Sequence, residues 1–155
     1  ANARRSQDFL IKARTDAAGT HGIDEAIRRL NAYAEAGADC LFADALLTPE
    51  DITKVAKNVS KPLFVNMGFG IKSRPTTPLI GPADLQDMGV AAVVYPRLLT
   101  SAALRGMMNA MDVFKDEVVG ANGTPDRSDL MIEFDDLNQL TGMKFLDEIE
   151  TNYKA

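Results

Sequence analysis

One repeated pattern limits most strongly which fold this chain can adopt. In it, a short apolar run ends at a polar residue and is followed by a helical pattern. The clearest example is the run Leu63, Phe64 and Val65, which is followed directly by Asn66. A short continuous apolar run is typical of a parallel strand that is buried on both faces. The arrangement recurs along the chain, so the sequence predicts a parallel sheet built from strand–helix units.

Four such units are predicted, followed by a helical tail. The predicted strands cover residues 9–13, 40–43, 62–65 and 91–95. The predicted helices cover residues 23–36, 49–58, 82–88 and 100–119. Thr48 is a good N-cap and Pro49 suits the first helical position after it. After a loop over residues 120–125, two short helices carry apolar positions at Phe134, Leu137 and Leu140, and at Phe145, Leu146 and Ile149.

Four parallel strands in an open sheet leave two unpaired edges, which buried apolar strands tolerate poorly. Four strand–helix units are half of an eight-fold α/β barrel of the TIM type. We therefore expect an α/β fold with a half-barrel over residues 1–119. Residues 120–155 are expected to form a helical extension that packs on the barrel or on a neighbouring subunit.

The composition argues against several classes of protein. The formal net charge is −5 and no run of basic residues occurs, unlike a nucleic-acid-binding surface. The single cysteine, Cys40, cannot form an internal disulfide and suits a reducing compartment. No apolar run approaches the length of a membrane span. We expect a cytoplasmic protein with no nucleic-acid or membrane partner.

Polar residues near the predicted strand ends are the candidates for function. The amide of Asn66 can donate to a carboxylate or accept from a hydroxyl, and Gly68 lets the backbone approach a ligand. Asp16 is expected to cap its own loop. Lys72 and Arg74, on the loop after Asn66, either draw anionic substrates or stay solvated.

Several motifs together resemble a known superfamily. They are Arg14-Thr15-Asp16-Ala17, Gly37-Ala38-Asp39, Asn66-Met67, Thr77-Pro78-Leu79 and Gly89-Val90 with Tyr95-Pro96. The chain resembles the carboxyl-terminal half of the phosphoenolpyruvate mutase/isocitrate lyase superfamily. Within it, the chain is most similar to the branch of methylisocitrate lyase, oxaloacetate decarboxylase and carboxyphosphonoenolpyruvate mutase.

The resemblance implies an (α/β)8 barrel with its active site at the carboxyl ends of the strands. It implies Mg²⁺-dependent cleavage of a C–C bond in a small di- or tricarboxylic acid, of the oxaloacetate or 2-methylisocitrate type, through an enolate. The alternatives are P–C bond chemistry on a phosphonate, as in a phosphonomutase or phosphonopyruvate hydrolase, and a non-catalytic half-barrel that associates with a partner chain. The Mg²⁺ ligands are expected outside this chain, so the chain alone is expected to be inactive. A homotetramer with helix 100–119 at the interface is also implied.

The resemblance assigns roles to five residues. Arg14 resembles the arginine that grips a substrate carboxylate, and Asn66 resembles the asparagine that contacts a carboxylate or phosphonate. Asp44 stands where a catalytic glutamate is common, and either reaches substrate or metal-bound water or pairs with a nearby cation. Gly68 falls where relatives often carry a small polar residue. Pro96 resembles the proline that shapes the pocket floor.

Overall fold

A four-stranded parallel sheet organises the first part of the chain. The computed structural model describes residues 1–70 and 77–153, so the predictions for Lys72 and Arg74 lie outside the described residues. The strands are β1 (Lys12–Thr15), β2 (Cys40–Ala43), β3 (Leu63–Asn66) and β4 (Ala92–Val94). They lie in the order β1-β2-β3-β4, and each neighbouring pair is parallel. The predicted α/β sheet is confirmed, and its order is that of half a barrel.

Helices follow each strand in the predicted order. They are α1 (Ala17–His21), α2 (Ile23–Glu35), α3 (Pro49–Asn58), α4 (Pro82–Asp87), α5 (Leu98–Val113), α6 (Phe134–Thr141) and α7 (Met143–Tyr153). A π-helical turn (Phe114–Gly120) continues α5, and a short 3₁₀ turn (Ser128–Leu130) precedes α6. The expected cap of α3 is present, because the Thr48 hydroxyl accepts a hydrogen bond from the Asp51 N–H.

Two local predictions were wrong. The first strand was placed over residues 9–13, whereas β1 spans Lys12–Thr15 and Phe9 is 68% exposed. The reason is a set of tertiary contacts. Asp39, just before β2, accepts a hydrogen bond from the Ile11 N–H at 2.8 Å and forms an ion pair with Arg4. These contacts fix where pairing starts, with Lys12 opposite Cys40. The second concerns the loop expected at Asp16, since the residues after Asp16 form helix α1.

The sheet has one face covered by helices and one that is more open. Leu41 and Val65 are fully buried and share a core cluster with Leu30 of α2 and Ile52 of α3. Successive residues of a strand point to opposite faces. The other face therefore carries the alternate residues, which are Lys12, Arg14, Phe42, Phe64 and Asn66. In a closed barrel, this second face is the interior.

The chain divides into two compact units after Leu99, whereas the sequence placed the division after Val119. Helix α5 explains the difference, because none of its residues is buried. Its apolar side chains Leu104, Met107 and Met111 are each at least 60% exposed. That the tail packs on the barrel or on a neighbour stays a prediction. In the described part of the chain, no helix is long and apolar enough to cross a membrane.

Candidate functional site

Four polar side chains meet at the carboxyl ends of β1, β2 and β3. Arg14 lies near the end of β1, and Asp16 follows that strand. Asp44 follows β2 directly, and Asn66 is the last residue of β3. They share one face because of the pairing register, in which Arg14 lies opposite Phe42 and Phe42 lies opposite Phe64. We call Arg14, Asp16, Asp44 and Asn66 the polar cluster.

Arg14 is held on one edge by carboxylates. Its Nε donates to Asp16 Oδ1 at 2.6 Å and its Nη2 donates to Asp16 Oδ2 at 3.2 Å. Nη2 also donates to Asp44 Oδ2. The hydrogen bond to Asp16, together with the negative charges of Asp44 and Asp16, raises the pKa of Arg14 although burial opposes this. The Arg14 Cζ atom lies 5.1 Å from the Phe42 ring centroid, within the range of a cation–π contact.

Asp44 links Arg14 to Asn66. One of its carboxylate oxygens takes the Arg14 bond, and the other accepts a hydrogen bond from Asn66 Nδ2 at 3.1 Å. Its pairing with a cation is therefore observed, as one of the two alternatives predicted. Asn66 Oδ1 is buried and accepts no hydrogen bond from the described residues. A buried acceptor without a donor is costly, so this oxygen is suited to a donor group on a ligand or to a bound water.

The turn after Asp44 is strained. Ala45 has φ of +61°, in the left-handed region that residues with a Cβ rarely adopt. Its Cβ faces Gly19 of α1, where an added Cβ would lie only 3.4 Å away. Such strain often accompanies functional sites. The sequence Asp-Ala-Leu gives no sign of it, so sequence reasoning missed this feature.

The other predicted site residues lie outside the hydrogen bonds of the polar cluster. The Gly68 N–H donates to the Thr77 carbonyl at 3.2 Å, which closes the base of the loop after β3. Pro96 is exposed and follows β4 by two residues. Asp16 does not cap its loop through its side chain, contrary to expectation, since that carboxylate binds Arg14 instead. Sequence reasoning missed this pairing, although Arg14 and Asp16 lie on the same side of an extended chain.

Within the described residues, the polar cluster offers Mg²⁺ no carboxylate oxygen that is free of hydrogen bonds. Within residues 1–70 and 77–153, no group of three or more His, Cys, Asp and Glu side chains is arranged to hold a metal ion. The oxygen atoms of Asp16 and Asp44 that lie in the polar cluster are already bonded to Arg14 and Asn66. Mg²⁺ usually binds one or two carboxylates and keeps several waters, so the polar cluster as described would need further ligands to hold the ion.

Comparison with known proteins identifies the class. The family described as phosphoenolpyruvate phosphomutase matches residues 1–115. A probable 2-methylisocitrate lyase of Corynebacterium glutamicum is 45% identical over 111 residues, which are 71% of this chain and 34% of that protein. The 2,3-dimethylmalate lyase of Eubacterium barkeri is 33% identical over 152 residues, or 98% of this chain and 50% of that protein.

A solved structure agrees with these matches. A crystal structure of 2,3-dimethylmalate lyase superposes with a TM-score of 0.75 at 27% identity, covering 94% of this chain and 48% of that chain. The chain belongs to the phosphoenolpyruvate mutase/isocitrate lyase superfamily. It spans half or less of the length of these relatives.

Replacing Asn66 with Asp tests the hydrogen bond to Asp44. The variant puts a second carboxyl beside Asp44, and like charges raise the pKa of one of the pair. Because the folded-state pKa then exceeds the unfolded value of about 3.9, the variant is destabilised above the folded pKa and recovers as pH falls. We expect a loss of roughly 1–3 kcal/mol at neutral pH, measured by urea denaturation.

The matched control is Asn2→Asp, since Asn2 is exposed in the same compact unit. Asn2→Asp should change the free energy of unfolding little, both at neutral pH and at the acidic pH where Asn66→Asp recovers. Equal stability of Asn66→Asp and the parent chain at neutral pH would contradict the described hydrogen bond.

Proposed function

We propose that the chain supplies the substrate-binding half of a carbon–carbon lyase that acts on a small di- or tricarboxylic acid. The observation that carries this proposal is the hydrogen-bonded line from Arg14 through Asp44 to Asn66 at the carboxyl ends of three adjacent parallel strands. Ligands of α/β barrels bind at this end. The two relatives described above are named as lyases, one for 2-methylisocitrate and one for 2,3-dimethylmalate.

Arg14 is the proposed carboxylate contact. The Nε and Nη2 groups of Arg14 donate to Asp16, and Nη2 also donates to Asp44. The Nη1 group of Arg14 makes no hydrogen bond within the described residues. Nη1 is thus the donor left for a substrate oxygen, including one that gains negative charge in an enolate. A donor fixed in place before reaction stabilises such charge without reorganisation.

Asp44 and Asn66 have complementary parts in this proposal. Both Asp44 oxygens are engaged, so we assign it the task of orienting Arg14 and Asn66. Asn66 Oδ1 faces no donor within the described residues and is assigned to a hydroxyl or protonated carboxyl of the substrate. Substrate specificity then depends on a hydroxyl that satisfies a buried acceptor, a kind of contact that discriminates strongly.

Charge balance supports a Mg²⁺ requirement. The polar cluster sets one guanidinium against two carboxylates, so it carries a net negative charge of one before any substrate binds. An anionic di- or tricarboxylate therefore needs further positive charge at the site. We propose that Mg²⁺ supplies this positive charge and that its ligands lie outside the described residues.

A P–C bond reaction on a phosphonate is the second candidate. The matched family is described as a phosphomutase, which is the observation that favours it. An Arg14 donor serves a phosphonate as well as a carboxylate. Product detection with oxaloacetate, 2-methylisocitrate and phosphonopyruvate separates the two reactions.

We also propose that the assembled protein is a homo-oligomer with α5 at the interface. Leu104, Met107 and Met111 are exposed on this helix, and exposed apolar surface of this kind marks interaction sites. Sedimentation velocity measures the assembly state. A species larger than a monomer is expected, and a strict monomer at every concentration contradicts the proposal.

Replacing Arg14 with Ala tests the carboxylate contact. Loss of a charged hydrogen bond costs about 2 kcal/mol, so affinity for oxaloacetate should fall roughly 30-fold. The measurement is calorimetric titration in the presence of Mg²⁺, because binding does not require a complete active site. Arg28→Ala is the control, since Arg28 is an exposed arginine of α2 that is also paired with a carboxylate, Glu25. Unchanged affinity in Arg14→Ala would exclude the assigned role.

A further inference from the structure

The turn that follows β2 changes which side of the sheet the chain faces. Asp44 lies on the more open face, where it binds Arg14 and Asn66. If the strand continued beyond Asp44, Leu46 would lie on the same face, because side chains two residues apart on a strand share a face. Leu46 is instead fully buried in the core cluster on the opposite face. The left-handed backbone of Ala45, with φ of +61°, lies between the two and redirects the chain.

Hydrogen bonds and packing hold both ends of this turn. The Asp44 N–H donates to the Thr15 carbonyl at 3.1 Å, which ties the start of the turn to β1. Thr48, three residues after Ala45, caps α3. On the side of α1, a Cβ added to Gly19 would lie 3.4 Å from the Ala45 Cβ, so that helix backs the turn closely. Because the ends are held, the direction of the Asp44 side chain depends on the backbone angles of Ala45.

Alanine is an unfavourable residue for this conformation. A Cβ makes the left-handed region costly, whereas glycine adopts it freely. The chain carries glycine at other left-handed positions, such as Gly142 at the end of α6, with φ of +74°. Alanine differs from glycine in a second way, since its left-handed region is small and glycine ranges widely over positive φ. Alanine at position 45 therefore restricts the backbone angles more narrowly, at a cost in stability.

We infer that Ala45 is a positioning residue, which fixes the direction of the Asp44 carboxylate at the expense of the stability of the fold. Direction matters because the two Asp44 oxygens have different partners, Arg14 Nη2 and Asn66 Nδ2. A turn that fluctuates would disturb both bonds at once. The inference rests on the proposed function, in which Asp44 orients Arg14 and Asn66, and deepens it. Its test follows the bond between Asp44 and Asn66 directly and requires no ligand.

Replacing Ala45 with Gly separates positioning from stability. Glycine removes the strain, so the midpoint of urea denaturation should be equal to or higher than that of the parent chain. The wider range of backbone angles should open the bond from Asn66 to Asp44 more often. We expect the Asn66 Nδ2 protons to exchange with solvent roughly fivefold faster, measured by nuclear magnetic resonance. A residue with a merely structural role would instead lower the midpoint.

The matched control is Ala36→Gly, the same substitution at an exposed alanine with an ordinary φ of −73° at the end of α2. Here glycine only adds freedom to the unfolded chain, so the midpoint should fall while exchange at Asn66 stays unchanged. Unchanged exchange at Asn66 in Ala45→Gly, or a midpoint below that of the parent, overturns the inference. Unchanged ligand affinity in Arg14→Ala would refute the carboxylate contact without altering this result, so the two failures are distinguishable.

Discussion

The register between β1, β2 and β3 decides what this chain can do. A side chain on a strand faces one side or the other, and a slip of one residue reverses every assignment. With Arg14 opposite Phe42 and Phe42 opposite Phe64, the polar cluster and the two rings fall on one face. The core residues Leu41 and Val65 fall on the other, beneath α2 and α3. The same pairing therefore builds the core and assembles the candidate site.

The charges on the open face differ between the carboxyl ends of the strands and the layer of side chains next to them. At the carboxyl ends, Arg14 is outnumbered by Asp16 and Asp44, and a buried oxygen of Asn66 has no donor among residues 1–70 and 77–153. That layer is suited to a small ligand that brings a donor, and to additional positive charge. One layer away, Lys12 has phenyl rings but no carboxylate within the described residues.

Local signals in the sequence predicted helices α2, α3 and α4 and the middle strands well. Thr48 with Pro49 marked the start of α3, and the run Cys40–Ala43 matched β2, because caps and apolar runs act over a few residues. The position of β1 could not be predicted in this way, since it is fixed by Asp39, which precedes the neighbouring strand β2 and lies 28 residues further along the chain than Ile11. The positive φ of Ala45 was also hidden, as alanine carries no turn signal. The family resemblance predicted Arg14, Asp44 and Asn66 as site residues, whereas the bond from Arg14 to Asp16 emerged only from the structure.

The proposed function depends most on Arg14 and Asn66 forming one ligand site at the carboxyl ends of the strands. The most direct measurement is a nuclear magnetic resonance titration of the chain with 2-methylisocitrate, which carries a hydroxyl, in the presence of Mg²⁺, following the side-chain N–H signals. We expect the Arg14 Nε–H and Asn66 Nδ2 signals to shift together with one dissociation constant. The side-chain amide signal of Asn31, which donates to the Asn58 carbonyl away from the cluster, should not move. Shifts confined to other surfaces, or an Arg14 signal that stays fixed at saturating 2-methylisocitrate, would contradict a shared site.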